Sequence, residues 1–139
     1  MDVVRGDICH LPFSTGCADV VVCNPPYRKI KSGRINPHPE KAIARHEILA
    51  SLDDLLRAAA ALLKKKGRFA LVYPAVRLAE ILVRLRRFNL EPKRLRIHYP
   101  NLEANAKLAL IEASLGGSPG LEILPPLLGQ GNFSIGTPP

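Results

Sequence analysis

Six residues, Ala18-Asp19-Val20-Val21-Val22-Cys23, run directly into Asn24-Pro25-Pro26-Tyr27, and this junction constrains the chain more than any other stretch. The run is short, apolar and β-branched, as in a strand buried on both faces of a parallel sheet. Two consecutive prolines then remove the N–H groups that a ladder or a helix would need, so the strand has to stop there. Open α/β sheets bind their ligands at the carboxyl ends of strands, which makes residues 24–27 the first place to look for chemistry.

The residues that follow extend the pattern. A segment rich in Gly, Pro and basic residues runs from Arg28 to Pro39, and Glu40 to Leu49 is compatible with helix. A stronger helix signal comes next. Ser51 can cap, Asp53 and Asp54 suit the positive first turn, and Leu52, Leu55, Leu56, Ala59, Leu62 and Leu63 recur at three- and four-residue spacing. Lys64, Lys65 and Lys66 suit the negative end, and Gly67 is expected as the left-handed stop. A strand is predicted over Arg68 to Tyr73. A second amphipathic helix opens at Pro74, with Leu78, Ile81, Leu82 and Leu85 on one face. Strand, helix, strand, helix is the alternation of a parallel sheet. Two further strands are predicted, Arg94 to Tyr99 and Ala106 to Ala113, with a connector from Pro100 to Asn105 that is long enough for a hairpin and too short for a crossover helix. From Gly116 onward Gly and Pro dominate and an irregular or extended tail is expected. This divides the chain into a domain over residues 1–117 and a tail over 118–139.

The 139 residues fit one domain. Twenty Lys and Arg against 12 Asp and Glu give a formal charge of +8, which favours a polyanion such as RNA as partner. Cys9, Cys17 and Cys23 form an odd set without a C-x-x-C pair and read as reduced thiols of a cytoplasmic protein. No apolar stretch approaches a membrane span and no signal segment opens the chain. His46 and His98 have no partners at metal-ligand spacing, His10 and His38 carry no signal, and no metal site is expected.

What could residues 24–27 do? An amine bonded to an aromatic ring is a poor nucleophile because its lone pair is delocalised. Two acceptors that bind its hydrogens favour the pyramidal nitrogen, and Asn24 can offer a side-chain oxygen and Pro25 a backbone carbonyl. Tyr27 offers a flat face on which a base taken out of its stack can lie. The stretch Asn24-Pro25-Pro26-Tyr27-Arg28-Lys29, with Ser32-Gly33-Arg34-Ile35-Asn36-Pro37 and Glu40-Lys41-Ala42-Ile43-Ala44-Arg45-His46-Glu47, resembles the bacterial tRNA adenine-N6 methyltransferases that modify an adenine beside the anticodon of a valine tRNA. The likeness runs from about Val4 to Leu127. It implies the C-terminal part of a Rossmann-like class I methyltransferase fold: α/β, with a mostly parallel sheet that ends in an antiparallel hairpin. It implies S-adenosylmethionine as cofactor, with Asp7, Ile8 and Asn24 on its side of the pocket. Asn24, Pro25, Pro26 and Tyr27 would hold the target adenine. Arg28, Lys29, Lys31, Arg34, Lys41 and Arg45 cluster beside the motif, as contacts to a tRNA backbone require. Arg77, Arg84, Arg86 and Arg87 lie on the polar side of a helix and read as solvated charge.

The sequence departs from the family pattern at its start. The strand, the Gly-x-Gly turn and the helix that cradle the methionine end of the cofactor are not present, nor is the second strand ending in an acidic residue. The only Gly-x-Gly, Gly129-Gln130-Gly131, follows a Pro-Pro-Leu-Leu run and precedes no helix. Weak or absent cofactor binding is therefore expected of the chain alone, as for a truncated frame, a fragment or one piece of a split enzyme. The same logic leaves the strand over 18–23 without its neighbour. An apolar unpaired edge invites either self-association or an N-terminal partner segment. Two other functions fit parts of the pattern: methylation of a glutamine side-chain amide in a protein, which uses the same Asn-Pro-Pro-Tyr chemistry, and a catalytically silent RNA-binding or assembly domain.

Overall fold

The structure, a computed structural model, describes residues 1–25 and 52–129. Strand β1 (Ala18–Cys23) is followed by helix α1 (52–62), β2 (Leu63–Pro74), a 3-10 turn (Ala75–Arg77), helix α2 (Leu78–Arg87), β3 (Leu90–Tyr99) and β4 (Leu108–Leu115). Two short strands, β5 (Glu122–Ile123) and β6 (Leu127–Leu128), complete the described order. The sheet runs β1-β2-β4-β3-β5, with β6 also against β3. β1 and β2 are parallel, whereas β4 is antiparallel to both β2 and β3. The predicted hairpin thus forms and folds back so that its second strand lies inside the sheet.

Period-two alternation decides the core. Phe69, Leu71 and Tyr73 of β2, Ala109, Ile111 and Ala113 of β4, and Leu95 of β3 face one side and are buried. On them pack Leu52, Leu56 and Ala59 of α1 and Ile81 and Leu85 of α2, in one continuous cluster. The apolar stripes read from the sequence are the faces that meet here.

Where the chain turns out of α1, the expectation for Gly67 is corrected. The left-handed residue is Lys66, at φ 62°, and β2 begins early because Leu63 already pairs with Ala18. Gly67 is needed for another reason. A Cβ there would lie 2.8 Å from the Lys64 carbonyl oxygen and 3.0 Å from Leu63 Cδ2, so the backbones approach too closely for a side chain. α2 ends on Asn89, also left-handed at φ 60°, whose carbonyl accepts from Gly116 N–H at 2.9 Å and ties the helix end to the start of the tail. That tail is extended: β5 and β6 run parallel to β3, and the buried His98 ring meets the Gly129 carbonyl through Nε2 at 2.9 Å.

Three of the four arginines read as solvated charge, Arg77, Arg84 and Arg86, are engaged with carboxylates, which corrects that reading for them, while Arg87 is exposed. Arg77 donates twice to Glu80, at 2.8 Å each, and its guanidinium lies 5.4 Å from the Tyr73 ring centroid. Arg84 reaches Asp53 at 2.7 Å and Glu80 at 3.2 Å, which joins the two helices, and Arg86 meets Glu91 at 3.1 Å. Hydrogen bonds from Arg77 hold the Glu80 carboxyl below its usual range. A depressed carboxyl stabilises the fold above its unfolded pKa near 4.5 and loses that contribution as pH falls through the folded value. Glu80→Gln is therefore expected to cost about 1 kcal/mol near neutral pH, as part of a partly exposed network, and to flatten the loss of melting temperature between pH 5 and pH 3, read by thermal scans of both proteins.

Candidate functional site

Asn24 follows the last residue of β1 and is exposed, and Pro25 beside it is half-buried. Cys23 makes the last pair of the parallel ladder, with Leu71, and Asn24 and Pro25 follow directly from it. Alternation puts Cys23, with Val21, on the helix-covered side, level with Leu71 and Phe69. Burial pushes the Cys23 thiol up to about 11, so the residue preceding the motif stays protonated at neutral pH and is a packing group. Val72 and Tyr73 were not singled out from the sequence. Val72 shares the cavity on the far side of the sheet with Val22 and Cys23, the residues that lead into Asn24.

The second group of expected residues is a tight turn near the N-terminus. Asp7 and His10 form an isolated bridge, and Asp7 Oδ1 accepts the Cys9 N–H at 2.9 Å. That backbone donor lowers the Asp7 carboxyl, which stays ionised, with His10 Nδ1 at 3.6 Å. Gly6 permits the turn, since a Cβ there would meet Pro12 Cδ at 2.9 Å. Ile8 lines a cavity of about 280 Å³ together with Leu11, Phe13, Val22, Cys23 and Ala58, so the turn and the carboxyl end of β1 face one apolar slot.

The remaining site residues of the motif and the basic segment, Pro26, Tyr27, Arg28, Lys29, Lys31, Arg34, Lys41 and Arg45, lie outside the described residues. Among the described residues no group of three or more His, Cys, Asp or Glu is placed to hold a metal. No helix among them is long and apolar enough to cross a membrane.

The architecture is that of known proteins. A predicted O-methyltransferase from Agrobacterium tumefaciens superposes with a TM-score of 0.67 over 96% of this chain and 56% of its own, at 18% identity. The fold is that of a class I methyltransferase. A proposed DNA modification methylase from Thermus thermophilus, in complex with S-adenosyl-L-methionine, gives a TM-score of 0.53 over 78% of this chain and 52% of its own, at 21% identity. No protein-family model matches. Two relatives carry the name tRNA1(Val) (adenine(37)-N6)-methyltransferase. That of Aliivibrio salmonicida is 32% identical over 76 residues, 55% of this chain and 31% of its own length. That of Porphyromonas gingivalis strain W83 is 38% identical over 63 residues, 45% and 24%. The chain therefore spans about half of the methyltransferase structures it resembles, and a smaller part of these relatives.

Proposed function

We propose that the chain carries the target-base end of an S-adenosylmethionine-dependent methyltransferase that acts on the N6 amine of an adenine in tRNA. The observation that carries this reading is the position of Asn24 and Pro25: they leave the sheet at the carboxyl end of a parallel strand, beside a slot walled by Ile8 and Val22. Asn24 Oδ1 and the Pro25 carbonyl would each accept one hydrogen of the amine, holding its nitrogen pyramidal as it becomes a nucleophile. Tyr27 would stack on the base and exclude water from it. S-adenosylmethionine, when bound, supplies a methyl group electrophilic enough that in-line positioning suffices. The net charge of +8 and the basic segment 28–45 suit a tRNA backbone. The relatives named for adenine-37 of tRNA1(Val) favour tRNA over a protein amide as acceptor.

The described residues fit only part of the cofactor. A 280 Å³ apolar slot can take a purine ring, and the ionised Asp7, whose chain neighbours Gly6 and Ile8 line that slot, would accept from the ring's exocyclic amine. The methionine end meets no glycine-rich turn in this sequence. Calorimetric titration of S-adenosylhomocysteine into the purified chain tests this partial fit. A Kd on the order of 1 mM is expected, lost in Asp7→Ala and kept in Asn24→Ala. Heat that saturates equally well without Asp7, or none at millimolar ligand, overturns the assignment of the adenine end.

A further inference from the structure

Both helices finish at the same end of the sheet. Their cross-contacts advance together, Asp53 with Arg84 and then Arg57 over the Phe88 ring at 5.6 Å, so α1 and α2 run parallel. β2 starts at that end, where Val20, Arg68, Ser114 and Glu91 form one row across the strands. Asn24 lies four residues beyond this row along β1, about 13 Å away. The end opposite the motif is basic. Lys64, Lys65, Lys66, Arg86 and Arg87 are all exposed there, without counting Arg68, which alternation with Phe69 sends to the other face of the sheet. Two carboxylates answer them: Asp19 meets Lys64 at 3.0 Å and Glu91 meets Arg86 at 3.1 Å. Lys65, Lys66 and Arg87 meet no carboxylate among the described residues. Two helix ends carry about half a negative charge each, which accounts for roughly one of these three cations and leaves the others over. Lys66 also sits where a lysine is costly. Its φ of 62° is left-handed, a conformation that glycine adopts freely, and the neighbouring Gly67 is placed one residue too late to relieve it.

We propose that Lys65, Lys66 and Arg87 form a phosphate-binding surface for the backbone of an RNA duplex, at the end of the sheet opposite the Asn24 motif. Packed helices lie about 10 Å apart, so the lysines after α1 and the arginine that ends α2 address one stretch of backbone. The surroundings choose among polyanions. A single strand is gripped by exposed rings on which its bases stack, and here Phe69 is buried and Phe88 is half-buried under Arg57. A membrane surface takes cations beside apolar side chains that insert, and no large apolar residue is exposed between 64 and 68 or between 86 and 89. A duplex needs only spaced cations that meet phosphates and read no sequence. The surface goes beyond the proposed function and does not depend on it, because a fully paired stem offers Asn24 no free base.

Fluorescence anisotropy of a blunt RNA duplex of about 16 base pairs, titrated with the full 139-residue chain between about 50 and 200 mM salt, tests the surface without any methyl transfer. A Kd on the order of 10 μM is expected at the lower salt. Lys65→Ala, Lys66→Gly and Arg87→Ala should each weaken binding several-fold and flatten the slope of log K against log salt by about 1. Lys66→Gly separates this role from that of a helix-end charge. It removes the left-handed lysine, so the melting temperature should rise by about a degree or two while RNA binding falls. Duplex affinity unchanged by all three substitutions overturns the proposal. So does affinity that only the control Arg34→Ala with Lys41→Ala removes, which would place the duplex on the basic segment after the motif. A fall in melting temperature for all three with no loss of binding would make them helix-end charges only. Tighter binding to phosphatidylglycerol vesicles than to the duplex would assign the surface to a membrane and overturn the proposal too.

Discussion

Phe69→Ala is expected to destabilise the chain by about 3–5 kcal/mol, enough to unfold much of it at ambient temperature given the modest stability of single domains. Phe69 is fully buried and sits where the account needs the sheet to be firm: it pairs with Val21 of β1 on one side and Ala113 of β4 on the other, with its ring in the cluster that receives both helices. Truncation leaves a cavity that three elements would have to collapse to fill, and the β1–β2 pairing that carries Asn24 loosens with it. Val22→Ala is the matched control. That residue is in the adjacent strand but 76% exposed, and a change within about 0.5 kcal/mol is expected. Urea titration of the three proteins distinguishes them: the Phe69→Ala midpoint should fall with the slope unchanged. Equal midpoints for the two substitutions would mean that the cluster on the helix side is not the core.

Asn24→Ala is expected to lower kcat for methyl transfer by about 10²–10³, the loss typical of removing one acceptor or donor aimed at charge developing in the transition state. The measurement uses the 139-residue chain with S-adenosylmethionine at millimolar concentration and unmodified tRNA. Asn24 is exposed at a strand end, so the substitution should leave the melting temperature within a degree or two and the KM for the cofactor within a few-fold. Asn24→Asp keeps an acceptor oxygen in the same place and should retain more activity than alanine. If alanine and aspartate behave alike, or if the loss is all in KM, Asn24 is not the amine acceptor.

Much of this arrangement is legible in the residues because local and tertiary preferences agree. The stripe over 52–62, the strand that follows and the 78–87 helix all show the period of the element they form, and the connector 100–105 is too short for anything but a hairpin. The misreadings have a common physical origin: the deciding contact lies far away in sequence. Gly67 looks like a helix stop until Ala18 and Leu63 are seen pressing on it. Asn89, by contrast, was readable, since asparagine often takes the left-handed position after a helix, but the apolar pattern around it drew no attention there. Arg77 and Arg84 resemble any solvated arginine on a polar helix face. Only the packing of α2 on α1 brings Asp53, 31 residues distant from Arg84, within 2.7 Å. The site divides similarly. Asn24 and Pro25 are visible as a motif, and Asp7 and Ile8 are reached only through the resemblance. That Ile8 and Val22 wall one cavity follows from the tertiary fold alone. Val22 read as one residue of a strand buried on both faces, whereas it is 76% exposed among the described residues.

Nucleoside analysis of tRNA after incubation with the 139-residue chain and methyl-labelled S-adenosylmethionine tests the central claim most directly. The account predicts label in N6-methyladenosine, and its disappearance when Asn24 is replaced by alanine. Label recovered in a protein glutamine, in another nucleoside, or in N6-methyladenosine to the same extent without Asn24 would contradict it.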